Sequence, residues 1–280
     1  LHINRTPAHD GKKQIWIQGL IHAREWISGA VVQYIVHTLA TAPLGTLGAA
    51  VDHVEFIVLP VVNPDGYVFS WTTNRLWRKN RSPDMFSAGV DLNRNFDDHW
   101  KKGPSFPFSD AYQGPGPASE PETRAVQEYY GQLDSIVGAL DMHSFSQLVL
   151  YPFGWTRAEP SNAHGYKALG KIVADAMTKP GLNLKAKNQT AEYKVMQSSE
   201  LYIAAGTACD WFSGSALSQW PSKKFTPYSL TIELPPAATS SYNGFLLDPS
   251  YILPVSRNSI QAIRAFTKFS VANAPLHGYD

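Results

Sequence analysis

The sequence predicts an α/β fold: a central mixed, mostly parallel sheet with helices on both faces. Three observations lead there. Stretches with strand-like and helix-like patterning alternate along the chain, which is how a sheet comes to be covered by helices. The residues that could carry chemistry, His22, Glu25, His143 and Glu233, fall where those strands end, and ligands of such sheets bind at strand carboxyl ends. No internal repeat, low-complexity tract or linker divides the 280 residues, so the reading is one domain spanning 1–280.

Gln14-Ile15-Trp16-Ile17-Gln18 is the first strand, apolar at alternate positions. Ile27, Ala30, Val31, Tyr34, Ile35 and Leu39 then recur at helical spacing, so His22 and Glu25 sit in the turn between strand and helix. Val54 to Val62 reads as a buried strand closed by the turn Asn63-Pro64-Asp65-Gly66. Arg75, Arg78 and Lys79 form a basic cluster entering a loop, and Val90 to Phe96 turns polar where a strand should end. Phe106 to Pro117 has the Gly, Pro and aromatic density of a long surface loop. Glu120-Pro121-Glu122-Thr123 has the early proline and acidic first turn of a helix start. Ile136 to Leu140 is a strand running into Asp141-Met142-His143-Ser144, and Leu148 to Tyr151 is another. Tyr166 to Met177 is helical, closed by Pro180-Gly181. Tyr228 to Leu234 alternates into Glu233 and stops at Pro235-Pro236, and Tyr251 to Ala274 is a closing amphipathic helix.

A net charge of +1 leaves no electrostatic case for nucleic acid or an anionic membrane surface. No apolar run is long enough to span a bilayer. One cysteine, Cys209, excludes an internal disulfide framework and a multi-thiolate metal site. The sequence opens at Leu1 and shows no signal peptide, which points to a processed or trimmed chain. Glycosylation triplets at Asn4, Asn80 and Asn188 fit secretion, with a vacuole or another lytic compartment as the alternative. Pro83, directly after the second triplet, makes Asn80 a poor acceptor.

An imidazole and a carboxylate three positions apart on one turn can grip a single ion, and catalytic zinc takes three protein ligands plus water. Alone, His22 and Glu25 fit equally a surface histidine beside a solvated glutamate. More motifs follow: Asn63-Pro64-Asp65-Gly66, Asn74-Arg75-Leu76-Trp77-Arg78, Asp91-Leu92-Asn93-Arg94-Asn95, His143-Ser144 with Ser146-Gln147, and Thr231-Ile232-Glu233-Leu234. In order and spacing, with His22-Ala23-Arg24-Glu25-Trp26, they resemble the zinc metallocarboxypeptidases of the pancreatic carboxypeptidase A type. The resemblance covers most of the chain. It implies one Zn2+ per chain held by His22, Glu25 and His143, with Asp91 orienting the first histidine. It implies Glu233 as the general base that carries a proton from water to the leaving amine, and Arg78 as the cation that stabilises the oxyanion. Asn93, Arg94 and Tyr202 match the clamp on the substrate's C-terminal carboxylate, a group that a guanidinium fork suits. Arg24, Ser144 and Phe145 match contacts along the peptide.

Some features depart from the family pattern. Phe145 stands where the family usually has Tyr, so a hydroxyl contact to the peptide is lost. The disulfide common in animal members is absent, in keeping with a fungal or other non-vertebrate secreted member. The segment from Trp211 to Tyr228 is longer than in pancreatic enzymes, and the family's first helix and first strand have no counterpart in this sequence. No inhibitory pro-domain is present either, so the resemblance implies a mature form, a monomer acting on peptide and protein C-termini. Alignment through Asp210-Trp211 places Cys209 at the main specificity position, where Asp marks enzymes that remove Lys or Arg. Cys is small and apolar, and with Ala204 and Thr231 it implies a preference for aliphatic or aromatic terminal residues. In the alternative, Asp141 lines that pocket, with Gln197, and accepts a basic side chain. Two further classes stay open: an amidohydrolase with the same ligand set, and an inactive relative kept as a binding protein. The clamp of Asn93, Arg94 and Tyr202 argues against the first, and the complete set His22, Glu25, His143, Arg78 and Glu233 against the second.

Overall fold

The computed structural model describes residues 1–7, 11–83, 88–101, 106–178, 192–237 and 242–277. Among these, seven strands form a single mixed sheet: β1 (His2–Asn4), β2 (Gln14–Gly19), β3 (Glu55–Leu59), β4 (Ile136–Ser146), β5 (Leu148–Tyr151), β6 (Lys194–Gln197) and β7 (Tyr228–Ala237). Their order across the sheet is β1-β3-β2-β4-β7-β5-β6. The pairs β2/β3, β2/β4, β4/β7 and β5/β6 are parallel, whereas β1/β3 and β5/β7 are antiparallel. The mixed, mostly parallel sheet expected from the sequence is therefore present. The helices are α1 (Trp26–Thr41), α2 (Ala49–Asp52), α3 (Pro64–Thr72), α4 (Pro121–Gly131), α5 (Ala163–Thr178), α6 (Ser198–Leu201), α7 (Ala208–Ser213), α8 (Ser215–Gln219) and α9 (Ile252–Asn273). None is long and apolar enough to cross a membrane.

Alternation along the strands sorts side chains into two layers. Ile15 and Ile17 of β2, Phe56 and Val58 of β3, and Leu230, Ile232 and Leu234 of β7 share one core with Val31 and Ile35 of α1, Leu169 and Val173 of α5, and Ile263 and Phe266 of α9. Trp16, Ile57, Ile136 and Ala139 instead meet Val126 and Tyr130 of α4, Trp211 and Phe212 of α7, and Ala216 of α8. Each fully buried side chain of this kind contributes about 1.5–3 kcal/mol, so both helix layers are firmly attached and the sheet between them is a rigid support. Strand positions that do not face the first core include Trp16 and Gln18 on β2, Asp141 and His143 on β4, and Thr231 and Glu233 on β7. Register sets them side by side: Gln18 lies opposite Asp141, Asp141 opposite Thr231, and His143 opposite Glu233.

Four stretches differ from the sequence reading. Asn63-Pro64-Asp65-Gly66 opens α3 instead of merely turning the chain, because Pro64 takes the first helical position and the Asn63 side chain caps Gly66 N. The β4 strand runs through His143 to Ser146, and β7 continues past Pro235-Pro236 to Ala237. Val90 to Phe96 forms no strand; Asp91 caps a 3-10 turn at Leu92–Arg94. Pro180-Gly181 and Asn188 lie outside the described residues.

Candidate active site

Two loops meet beyond the end of β2, and Asn63 ties them together. Its Nδ2 donates to Ile21 O (3.1 Å) and to Lys79 O (3.0 Å), the backbone neighbours of His22 and Arg78. Ala23 N donates to Arg78 O at 3.0 Å, closing the junction. Gly66 is required beside it, since a Cβ there would sit 2.4 Å from Lys79 O. The sequence motifs around residues 22, 63 and 78 are thus parts of one joint.

His22, Glu25 and His143 converge behind this joint, all of them buried. One ligand atom from each lies within 4.8 Å of the others. His22 Nδ1 is 2.8 Å from Glu25 Oε1, and His143 Nδ1 is 3.0 Å from Glu25 Oε2 and 3.1 Å from His22 Nδ1. Ser144 N also donates to Glu25 Oε2 (3.2 Å). Two imidazole nitrogens and a carboxylate this close can share protons among themselves or turn their lone pairs together toward one cation. A cation between them and Glu25 satisfies all three donor atoms, and two nitrogens plus one carboxylate oxygen suit zinc. Burial disfavours the Glu25 carboxylate, yet His22 and His143 hold its pKa well below the usual range. Burial likewise opposes the His143 imidazolium, but the carboxylates of Asp141 and Glu25 outweigh it and push the pKa well up.

Both imidazoles have a carboxylate on the far nitrogen. His22 Nε2 is 3.2 Å from Asp91 Oδ1, and His143 Nε2 is 2.8 Å from Asp141 Oδ2. Asp91 Oδ2 also accepts from Arg78 Nε (3.1 Å) and Nη2 (2.9 Å). Burial works against the charge on Asp91, but Arg78 and His22 keep it ionised far below the ordinary carboxyl range. Arg78 Nη1 lies 4.0 Å from Glu25 Oε1.

These groups open into a cavity of about 310 Å³. Its lining includes the charged Arg78 and Arg94 with Tyr202, and the neutral Leu150, Ala204, Cys209 and Thr231. Arg94 Nη2 donates to Tyr202 OH (3.0 Å), a half-exposed side chain at the mouth. Glu233 faces the cavity from β7, and its buried Oε2 has no hydrogen-bond partner among the described residues. Burial, reinforced by Glu25 and Asp141, pushes its carboxyl up to about 8, against the pull of His143 and Arg78. Behind Cys209, Asp210 accepts from Gly154 N (2.8 Å) and Trp155 N (3.2 Å), and burial with the nearby Asp98 pushes its carboxyl up to about 7.

Ser144 and Phe145 line the cavity. Asn93 lines it too, but its amide is engaged: Oδ1 accepts from Ala208 N (2.9 Å) and Nδ2 lies 3.4 Å from His143 Nε2. Asp141 does not line the cavity, contrary to the alternative considered for basic substrates. It is buried between Gln18 Nε2 (3.1 Å) and His143, because β2 stands directly beside β4 at this register. Gln197 is also absent from the lining; its amide nitrogen donates to the carbonyls of Phe153, Thr156 and Ala158. Arg24 lies outside the cavity, stacked 4.3 Å from the Phe245 ring and donating to Asp110. Sequence reasoning missed Gln18 and Trp16 as partners of the site; the alternation of β2 was visible, but the neighbouring strand was not.

A mixed sheet whose strand ends gather a His–Glu–His group able to hold a metal ion, beside a carboxylate with no hydrogen-bond partner among the described residues, defines an α/β protein with a candidate metal site. The chain matches the sequence model of the zinc carboxypeptidase family over residues 1–262 and belongs to that family. It is 37% identical to human carboxypeptidase O over 265 residues, 92% of this chain and 66% of the relative. It is 34% identical to carboxypeptidase B2 of Rattus norvegicus over 275 residues, 95% and 61% of the two chains. The crystal structure of carboxypeptidase A from Helicoverpa armigera superposes with a TM-score of 0.82 at 30% identity, over 97% of this chain and 64% of that one. The chain therefore spans somewhat less than two thirds of the length of these relatives. Their names cover A, B and O types.

Proposed function

We propose that this chain carries the catalytic centre of a zinc-dependent exopeptidase that removes the C-terminal residue of peptides and proteins. The observation that carries this reading is the juxtaposition of the His22–Glu25–His143 donor set with the unpaired Glu233 and the Arg94–Tyr202 pair in one cavity. Zinc bound by His22, Glu25 and His143 would supply Lewis acidity and bring the pKa of water down to about 7. Arg94, with Tyr202 beside it and Asn93 in the same lining, pairs with the terminal carboxylate of the substrate, which fixes the last peptide bond over the site. Arg78 faces the carbonyl oxygen as negative charge develops on it. In its ionised form Glu233 accepts a proton from the attacking water and returns it to the leaving amine, a transfer that its unshared Oε2 leaves it free to make. Asp91 holds His22 and Arg78 in position.

The reading includes a preference for aliphatic or aromatic terminal residues. Glu25 and Glu233, both at the reacting end, are the two carboxylates in the described lining, and Leu150, Gly154, Ala204, Cys209 and Thr231 are neutral. Secretion or residence in a lytic compartment, a monomeric state and an inhibitory pro-segment before maturation belong to the same reading and rest on the family resemblance.

The test is a matched pair of peptides, one with a free C-terminal carboxylate and one amidated. The amide is expected to be cleaved at least about 10–100-fold less efficiently, because a neutral terminus leaves the Arg94 charge desolvated and unmatched. Equal kcat/KM for the two would remove the exopeptidase reading.

A further inference from the structure

A buried chain of hydrogen bonds approaches the site from inside the sheet. Trp16 Nε1 donates to Gln18 Oε1 (3.0 Å), Gln18 Nε2 donates to Asp141 Oδ1 (3.1 Å), and Asp141 Oδ2 lies 2.8 Å from His143 Nε2. All four residues are buried. An indole N–H can only donate. Trp16 therefore turns the Gln18 amide with its oxygen inward and its nitrogen toward Asp141, and the polarity of every later link follows. Asp141, acceptor-only as a carboxylate, receives Gln18 on one oxygen and is left to receive a hydrogen from His143 Nε2 on the other.

His143 Nε2 has a second neighbour that asks for the opposite. Asn93 Oδ1 is engaged by Ala208 N, so its Nδ2, a donor, is the atom that stands 3.4 Å from His143 Nε2. A hydrogen bond from Asn93 would need the lone pair on Nε2, and a neutral ring would then carry its proton on Nδ1, the atom that faces His22 and Glu25. Asp141 and Asn93 thus select opposite tautomers of one ring. We propose that Asp141 is the positioning residue that decides this contest: it holds the proton on Nε2, presents the Nδ1 lone pair to the metal position, and is itself held by Gln18 and Trp16. The inference rests on His22, Glu25 and His143 being the zinc ligands. It also accounts for the absence of Asp141 from the cavity, since both of its oxygens are engaged behind the site.

Zinc dissociation constants, measured by chelator competition with no substrate present, test the proposal. Loss of such a partner typically weakens metal binding by about 10–100-fold, and Asp141→Asn is expected to fall in that range. Gln18→Met, which removes the hydrogen bond but keeps the bulk, is expected to give a smaller loss in the same direction. The double variant Asp141→Asn/Asn93→Asp should regain most of the lost affinity, because a carboxylate at 93 accepts the Nε2 hydrogen from the other side. A purely structural Asp141 would show no such rescue. Unchanged zinc affinity in Asp141→Asn, or a loss without rescue, overturns the proposal. So does a changed preference for terminal Lys or Arg at constant zinc affinity, which would return Asp141 to the pocket. If Asp141→Asn does not fold, Gln18→Met decides alone: weakened zinc binding supports the proposal and unchanged binding overturns it. A wild-type chain that binds no zinc would overturn the ligand assignment itself, and this inference with it.

Discussion

The cavity has two unlike walls. One is made of loops: His22, Arg78 and Arg94 come from turns between elements, Asp91 buried behind them pairs with Arg78 and His22, and Arg94 donates to Tyr202 OH. The other is made of strands β4 and β7 and the start of α7: Thr231, Cys209 and Glu233 are neutral or, for Glu233, lack a partner on one oxygen. On the loop side, Arg78 and His22 are held by the buried carboxylate of Asp91. The carboxylate that must give and take a proton is held by the rigid sheet, where burial leaves it unshared. A charge already paired makes a poor proton carrier, whereas an unpaired one on a loop would move out to solvent.

The largest effect should come from the strand wall. Glu233→Gln keeps shape and polarity but cannot carry a proton, and kcat is expected to fall by about 10²–10⁴ while zinc stoichiometry by elemental analysis stays at wild-type level. Arg78→Ala, on the loop wall, is expected to cost about 10²–10³ in kcat and to weaken zinc binding as well, because Asp91 loses its counter-ion and His22 its support. Turnover near wild type in Glu233→Gln would remove the contrast between the walls.

Placing a charge on the neutral wall sharpens the comparison. Cys209→Asp should raise kcat/KM for terminal Lys and Arg relative to Phe and Leu by about 10–100-fold, since a buried carboxylate pairs with a cation and must be desolvated for an apolar side chain. A wild-type preference for Lys or Arg in a panel of blocked dipeptides would show that the neutral lining does not set selectivity.

The smallest effect concerns stability behind the strand wall. The folded chain keeps the Asp210 proton up to about pH 7, whereas an unfolded aspartate releases it near 3.9. Between those values the folded state binds more protons, so the contribution of this group to stability is full below about pH 4 and is lost as pH rises through 7. Asp210→Asn removes the dependence. In urea titrations the variant should therefore gain on the order of 3 kcal/mol relative to wild type between pH 4.5 and pH 8. A pH-independent difference between the two would mean that Asp210 is ionised throughout.

Much of this arrangement was legible before any coordinates. His22 and Glu25 follow an alternating strand and precede a helix-spaced run, so their place at the sheet rim follows from local pattern. His143 and Glu233 end apolar strands and were placed by the same rule. The role of Asp141 was not legible, because its partner Gln18 is more than a hundred residues away and meets it only through the β2/β4 register. Asn93 was expected in the clamp, but an amide has two ends, and only the fold shows that one is bound to Ala208 N. β1 and β6 were missed because both are short and lie at the sheet edges, where exposure blurs alternation.

Asn80 shows how a surface signal can be cancelled by folding. Its triplet reads as a sugar acceptor, yet the side chain is buried: Nδ2 donates to Glu120 Oε2 (2.8 Å) and Glu122 Oε2 (3.2 Å), and Oδ1 accepts from Val90 N (2.7 Å). A glycan is attached through that same nitrogen, so the modification and the closed contact exclude each other. In a population of these molecules, a sugar on Asn80 would mark chains that were trapped before residues 80 and 120 met, and peptide mass spectrometry of the folded fraction should find this asparagine bare.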